Sequence, residues 1–384
     1  MTERLILVVA AYFPDSYGGA ERQALILAEA LGRRGVDVTL VAPTTWREAP
    51  AVEPTAFGRI ERFRVCAYPN HGGLHLGDFL RWTLWFRRRF GEGPAPIYVF
   101  HARLHALGPA WATGRSGVPL VIKLGGGGEA SDFAALRAKR YFYGRWVQDL
   151  LLRRTSSFVA NGDQIVRDLT DLGVEPERIA AFPNGVELPP IETVSAAIWR
   201  RTGDRFVFAG RMVTDKRVSV LHDAAVALAH DARPPRLTFL GDGPEADRLS
   251  GLSRAPEGAR TMAFAGFVAD VATVLMETDF FVSASLKEGQ SNALLEAMAA
   301  GVVPMVCPAS GVADIVEEGV NGWIVPESTP EAFAAVMRRA LALSETQRRA
   351  MAHAARAAVE AKVGIDAVAD RTLTLIRSLV GEGR

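Results

Sequence analysis

Cysteine is nearly missing from this chain: only Cys66 and Cys307 stand among 384 residues. They form no Cys-x-x-Cys pair, which excludes a disulfide-stapled secreted scaffold and fits a reducing cytoplasm. Net charge is nearly missing too, since 44 Lys plus Arg against 43 Asp plus Glu leave +1. No chain-wide field draws nucleic acid, so no nucleic-acid partner is expected and any anion has to be held locally. No apolar run approaches the ~18 residues of a membrane span. The N-terminal run Leu5 to Ala11 is too short, and Tyr12-Phe13-Pro14-Asp15 follows it rather than a cleavage site, so it reads as a buried first strand. There is no Asp-x-Asp motif or His/Cys cluster to mark a metal site, and no fixed-period repeat.

What is present is the composition of a folded protein, 49% hydrophobic and 23% charged, and at roughly 100–200 residues per domain the length predicts two domains or one large α/β unit. After the first strand, Ala20, Ala24, Leu27, Ala28 and Leu31 recur at helical spacing, Gly35 supplies a stop, and Val36 to Val41 is a second strand. That is a β-α-β unit. Further strands are predicted at 97–100, 120–122, 157–160 and 179–182, separated by helical stretches, which means a doubly wound parallel sheet.

The pattern breaks at Pro189-Pro190, and a second α/β series begins with Arg205 to Ala209. Its later strands are expected near 236–240, 261–265, 279–283, 303–307 and 322–325, with helices from Pro330 onward. The expected organisation is a Rossmann-like domain over 1–187, a linker over 188–204, a second Rossmann-like domain over 205–360, and a C-terminal helix over 361–384 that packs back on the first domain. Two such domains facing each other would hold a ligand in the cleft between their sheets.

The most informative segment runs from Ser285 to Gly301, after the strand Phe280 to Ser283. Small and polar residues, Gly289, Gln290, Ser291 and Asn292, open a helix, and unpaired N–H groups at a helix start suit a phosphate. Read without a ligand, Ser291 or Asn292 merely caps that helix. Glu288 lies on the loop and Glu296 about a turn into the helix, so both can face one ligand. The spacing of Glu288 and Glu296, with the continuation Glu-Ala-Met-Ala-Ala-Gly, resembles the retaining glycosyltransferases of family 4, which have the GT-B fold. The resemblance implies that Glu288 contacts hydroxyls of the donor sugar and that Glu296 takes the ribose diol, for which a carboxylate has suitable acceptor sites.

Three further stretches carry the resemblance. Phe208-Ala209-Gly210-Arg211 followed by Lys216 is similar to the family's cation pair, which implies that Arg211 and Lys216 hold the donor diphosphate and stabilise the leaving group. Arg217 stands where the family usually has glycine. Tyr17-Gly18-Gly19-Ala20-Glu21-Arg22 resembles the loop in which Gly18 and Gly19 let backbone approach the donor. Phe267 and Val268 correspond to backbone near the nucleobase. Phe158 to Gly162 and Phe182 to Glu187 match in architecture. The implied chemistry is metal-independent transfer with retention from a UDP- or GDP-sugar, with no other cofactor and no protein nucleophile, positioning and electrostatics carrying the work.

One departure concerns the acceptor side. The family often has a His-Gly pair after the strand ending near 123, whereas this chain reads Val121-Ile122-Lys123-Leu124-Gly125-Gly126-Gly127-Gly128-Glu129-Ala130-Ser131-Asp132. Lys123, Glu129 and Asp132 are the polar groups available there, and His101 and His105 follow another strand. Each stands as an acceptor contact or as ordinary packing and solvated loop. Phe79 to Phe90 and Lys139 to Trp146 mix aromatic and basic residues, which fits a peripheral contact with an anionic membrane and a glycan or lipid-linked acceptor in cell-surface polysaccharide assembly. The other reading keeps the aromatics in the core and the arginines in solvent. A cytoplasmic enzyme at the inner membrane face is expected; a GT-B nucleotide-sugar epimerase or a non-catalytic partner of a transferase are the alternatives.

Overall fold

Short runs of β-branched and aromatic residues bounded by turns form parallel strands throughout the chain. The computed structural model describes residues 3–382 except 14, 17, 67–75, 94, 129–130, 139–142, 254–260, 287–289 and 310. The chain divides into two units, Met1–Gly185 with Ile365–Arg384, and Val186–Gly364.

The first unit is built on strands β1 (Arg4–Val8), β2 (Asp37–Thr44), β3 (Val52–Thr55), β4 (Gly58–Arg64), β5 (Ile97–Phe100), β6 (Leu120–Lys123), β7 (Ser157–Ala160) and β8 (Ile179–Ala181). Their order is β3-β4-β2-β1-β5-β6-β7-β8, and every neighbouring pair is parallel except β3 with β4. Alternation along β6 sends Leu120 and Ile122 into a core with Trp82, Phe86 and Phe158, and Val121 into a second core with Leu27, Leu31 and Ala369. The sheet is therefore covered on both faces, as crossover helices require. The helix Ile365–Glu382 belongs to this unit, pairing Asp366 and Asp370 with Arg34 at 2.8 and 2.6 Å.

The second unit has strands β9 (Arg205–Ala209), β10 (Arg236–Leu240), β11 (Met262–Gly266), β12 (Phe280–Ser283), β13 (Val303–Val306) and β14 (Trp323–Ile324), all parallel, in the order β11-β10-β9-β12-β13-β14. Helices cover both faces here too, with Phe206 and Phe280 in one core and Val207 and Phe281 in the other. Two parallel-sheet Rossmann-like domains is thus the architecture.

Two expectations need correction, and for one helix the fold selects between two readings. The stretch 188–204 is not a linker: Pro190 is the N-cap of a helix, Ile191–Arg200, whose Val194, Ala197 and Ile198 are buried in the second unit. The boundary falls at Gly185/Val186, and the chain returns to the first unit at Gly364/Ile365 rather than at 360/361. In the helix Leu76–Phe90, Trp82, Phe86 and Phe90 are core side chains, not interfacial ones. Burying each such ring stabilises the unit by about 1.5–3 kcal/mol, so none of them is free to enter a bilayer. Lys139, Arg140, Tyr141 and Phe142 lie outside the described residues. Among the described residues no helix is long and apolar enough to cross a membrane.

Candidate active site

In an open parallel sheet the crevice for a ligand lies at the carboxyl ends of the two strands where the order reverses. In the second unit these are β9 and β12, neighbours in the sheet with helices leaving to opposite sides. After β9 come Gly210 and Arg211, then a 3-10 turn Thr214–Lys216 and the helix Val218–Ala227. The loop after β10 is laced to this one by backbone: Gly210 N–H donates to Leu240 at 3.0 Å, and Met212 N–H donates to Asp242 at 2.8 Å. A Cβ at Gly241 would stand 2.1 Å from the Gly210 carbonyl, and one at Gly243 2.3 Å from that of Met212. Glycine is needed at both positions to let the two loops touch.

Arg211 is exposed and Lys216 half-buried. Burial, followed by the neighbouring charge of Arg211, lowers the Lys216 amine from 10.5 to about 8. Arg217 has φ 49°, a left-handed conformation that glycine adopts without strain. The arginine keeps the turn shape at some conformational cost.

After β12, Ser285 hydroxyl donates to the Asp215 carbonyl at 3.4 Å, joining this loop to the turn that carries Lys216. Ser291 is the N-cap of the helix Asn292–Ala299, its hydroxyl accepting from Leu294 N–H. Gln290 is buried, and Asn292 and Glu296 are half-buried on the loop and helix that follow. Phe267 is 54% exposed after β11, while Val268 packs on the core. Glu288 and Gly289 lie outside the described residues. The strand order therefore places Arg211 and Lys216 after β9, and Gln290, Ser291, Asn292 and Glu296 after β12, at the carboxyl ends of two neighbouring strands.

The first unit has its reversal at β1 and β5. Gly18 is the N-cap of the helix Gly19–Arg33, with no side-chain cap. A Cβ at Gly18 would stand 2.4 Å from the Glu21 carboxylate, so that carboxylate occupies the space beside the cap. After β5, His101 places Nδ1 3.1 Å from both oxygens of Asp132. Asp132, 1% exposed, also accepts from Ala102 N–H at 3.2 Å, Gly125 N–H at 3.1 Å and Arg103 Nε at 3.1 Å. These donors hold its carboxyl well below the ordinary carboxylate range despite burial. His105 is not on the edge: its Nε2 is bonded to the Phe100 carbonyl at 2.9 Å, and burial lowers its pKa to about 3.

Lys123 ends β6 and is 6% exposed, its amine lowered by burial from 10.5 to about 7, with no ion pair to it among the described residues. Glu129 lies outside the described residues. Of the residues expected on the acceptor side, the fold brings His101 and Asp132 into contact, while alternation along β6 puts the Lys123 side chain on the face of Val121. Arg103 and Gly125 were not expected at this site. Nothing in their local sequence links them to a carboxylate 29 and 7 residues away. The two architectural stretches meet through Asn161, whose amide donates to Asn184 at 3.2 Å. No group of three or more metal-ligating side chains occurs among the described residues.

Comparison with known proteins bears on both units. A family model described as glycosyl transferase 4-like domain matches residues 18–185, and one described as glycosyl transferases group 1 matches residues 203–342. The chain is 28% identical over 367 residues to the lipopolysaccharide core biosynthesis glycosyltransferase LpsE of Rhizobium meliloti, covering 94% of this chain and 96% of that protein. It is 27% identical over 201 residues to the amylovoran biosynthesis glycosyltransferase AmsK of Erwinia amylovora, covering 50% of this chain and 46% of the relative. Against relatives of that kind the match spans about half of their length. The fold is similar to that of HepE from Anabaena, crystallised with UDP, at a TM-score of 0.73 and 18% identity, covering 98% of this chain and 100% of that one. Both halves carry the pattern and the fold of one group, and the protein belongs to the group 1 glycosyltransferases of GT-B fold.

Proposed function

We propose that this glycosyltransferase moves a sugar, with retention, from a UDP- or GDP-sugar to a glycan or lipid-linked acceptor in cell-surface polysaccharide or lipopolysaccharide assembly, at the cytoplasmic membrane face. The observation that carries the reading is the pair Arg211 and Lys216 on the loop after β9, bound through Asp215 and Ser285 to the loop that opens the helix Asn292–Ala299. Two cations and a helix N-terminus at one sheet edge suit a diphosphate. The names of the relatives, which concern lipopolysaccharide core and amylovoran biosynthesis, support the acceptor class.

In this reading the leaving diphosphate draws the electron pair of the breaking sugar C1–O bond, and Arg211 and Lys216 meet the charge as it develops. The acceptor hydroxyl attacks from the same face, and its proton passes to a phosphate oxygen. Glu296 takes the ribose diol, Glu288 the donor sugar hydroxyls, and Gly18 and Gly19 give the donor close access to backbone. Phe267 and Val268 border the base. The chemistry asks for no protein nucleophile and no metal, since the charge is met by side-chain cations.

Release of nucleoside diphosphate from a panel of UDP- and GDP-sugars, with a membrane extract as the acceptor source, tests this. One donor should be consumed, Arg211→Ala should abolish consumption and donor binding together, and Glu288→Ala should spare nucleotide binding. Failure of every donor would overturn the proposal.

A further inference from the structure

His101 has φ 71°, one of two non-glycine residues with positive φ among the described residues. Such a conformation costs on the order of 1–3 kcal/mol and persists only where the surroundings impose it. Here they do. His101 N–H donates to the Lys123 carbonyl at 2.7 Å, the next N–H donates to Asp132, and the ring is held by the same carboxylate. The ring also fills the volume of a side chain at position 125: a Cβ on Gly125 would lie 1.7 Å from Cε1 and 2.2 Å from Nδ1. Positions 101 and 125 thus share the space of one side chain, and the chain gives it to the imidazole.

A loop that needed only a turn at 101 would be served at lower cost by Gly or Asn. What the strained backbone, the missing Cβ at 125 and the buried carboxylate secure together is the direction of the ring. A carboxylate only accepts, so the Nδ1 that faces Asp132 is the ring nitrogen that carries a proton, and in the imidazole form the lone pair is left at Nε2. Nε2 has no partner among the described residues, and the side chain is 25% exposed. The result is one oriented hydrogen-bond acceptor at the carboxyl end of β5, beside the point where the strand order reverses.

We propose that His101 is an acceptor-contacting residue of the first unit, its Nε2 accepting a hydrogen bond from a hydroxyl of the sugar acceptor, and that Asp132 is the positioning residue that fixes its tautomer and direction. This rests on the transferase reading above, and its test separates the two. Ring 15N spectra of the histidine-labelled protein should show His101 as the Nδ1–H tautomer, with Nε2 shifting on titration with p-nitrophenyl glycosides. An Nε2–H tautomer, or no shift with any glycoside, would overturn the proposal without reference to activity.

In the transfer assay, His101→Ala should raise acceptor KM at least tenfold while nucleoside diphosphate affinity stays within twofold. His101→Gln, which keeps a polar atom near Nε2, should recover part of the loss, and Asp132→Asn should act in the same direction as His101→Ala. Because Asp132 variants can fail to fold, Gly125→Ala gives a second check. Alone it should displace the ring and raise KM; combined with His101→Ala it should restore the melting temperature and leave KM high. Unchanged KM in His101→Ala, in a protein whose Arg211→Ala variant is inactive, would discard the role of His101 and leave the transferase reading intact. Loss of donor turnover in every protein, wild type included, would instead fall on that reading.

Discussion

Gln23 grips both backbone groups of Gly185: its Nε2 donates to the carbonyl at 2.8 Å and its Oε1 accepts from the N–H at 2.9 Å. The clamp ties the helix Gly19–Arg33 to the last residue of the first unit before the chain leaves it. A Cβ at position 185 would meet Ile365 Cδ1 at 2.4 Å, so a larger residue there would have to displace the end of that side chain. Gln23→Ala leaves a buried donor and acceptor unpaired, at about 1–3 kcal/mol for each orphaned group. Gln23→Glu keeps the acceptor for the N–H but sets a carboxylate against the carbonyl. Both should lower the urea midpoint, with Glu at least as damaging as Ala at neutral pH. A midpoint in Gln23→Ala equal to wild type would show that the clamp contributes nothing.

Lys123 makes the stability of the first unit depend on pH. Its amine falls from 10.5 to about 7 because burial disfavours the charge. Between those two values the unfolded chain binds a proton that the folded one lacks, so stability rises with pH by about 1.4 kcal/mol per unit. Below about pH 7 both forms are protonated and the whole penalty is present. Lys123→Met removes the slope, so wild type minus variant, followed by denaturation from pH 6 to 10, should climb only above pH 7. Parallel curves would refute the assignment.

Much of the architecture was readable from spacing, and the parts that were not have physical reasons. Val121-Ile122 and Phe206-Val207-Phe208 are apolar on both faces and announce buried parallel strands. The pair β3 and β4 escaped notice because Pro54 and the charged residues of Arg59 to Arg64 look unlike a strand, yet proline is tolerated on an edge and β3 is one. Pro189-Pro190 looks like a break in the pattern, yet proline is also tolerated where a helix starts, and Val194, Ala197 and Ile198 at helical spacing carry that signal. Arg211 and Lys216 stand five positions apart on one loop, so their proximity follows from local sequence. The link between His101 and Asp132 spans 31 positions, and only the pairing of β5 with β6 creates it.

Lys216 should set the upper pH limit for donor binding. With its amine lowered to about 8 by burial and by Arg211, the free site loses a cation as pH rises through that value. The terminal phosphate of a nucleoside diphosphate, with a last pKa near ~6, is by then fully ionised, so the lysine alone titrates. Affinity should fall up to about tenfold per unit above pH 8 until the value in the bound state is reached. Lys216→Arg should move the fall beyond pH 10, and Arg211→Ala should raise it by removing the like charge. Calorimetric titration with UDP and GDP from pH 7 to 10 measures this. A flat profile in wild type would exclude Lys216 from the anion site.

The helix Leu76–Phe90 divides its residues in a way that narrows the membrane prediction. Trp82, Phe86 and Phe90 face the core, and Leu80 and Leu84, 49% and 47% exposed, face outward one helical turn apart. Of the arginines, Arg81 pairs with Asp78 at 3.0 Å and Arg89 with Glu61 at 2.9 Å. Arg87 and Arg88 have no ionic partner among the described residues and remain for an anionic surface. Contact with phosphatidylglycerol vesicles would seat the two leucines at the headgroup boundary and add about 1 kcal/mol for each basic side chain near the surface. Arg87→Ala with Arg88→Ala should therefore cut co-sedimentation roughly tenfold or more, Arg89→Ala should leave it unchanged, and Trp82→Ala should lower the melting temperature instead. Equal binding to phosphatidylcholine, or full binding by the double variant, would remove this helix as the contact.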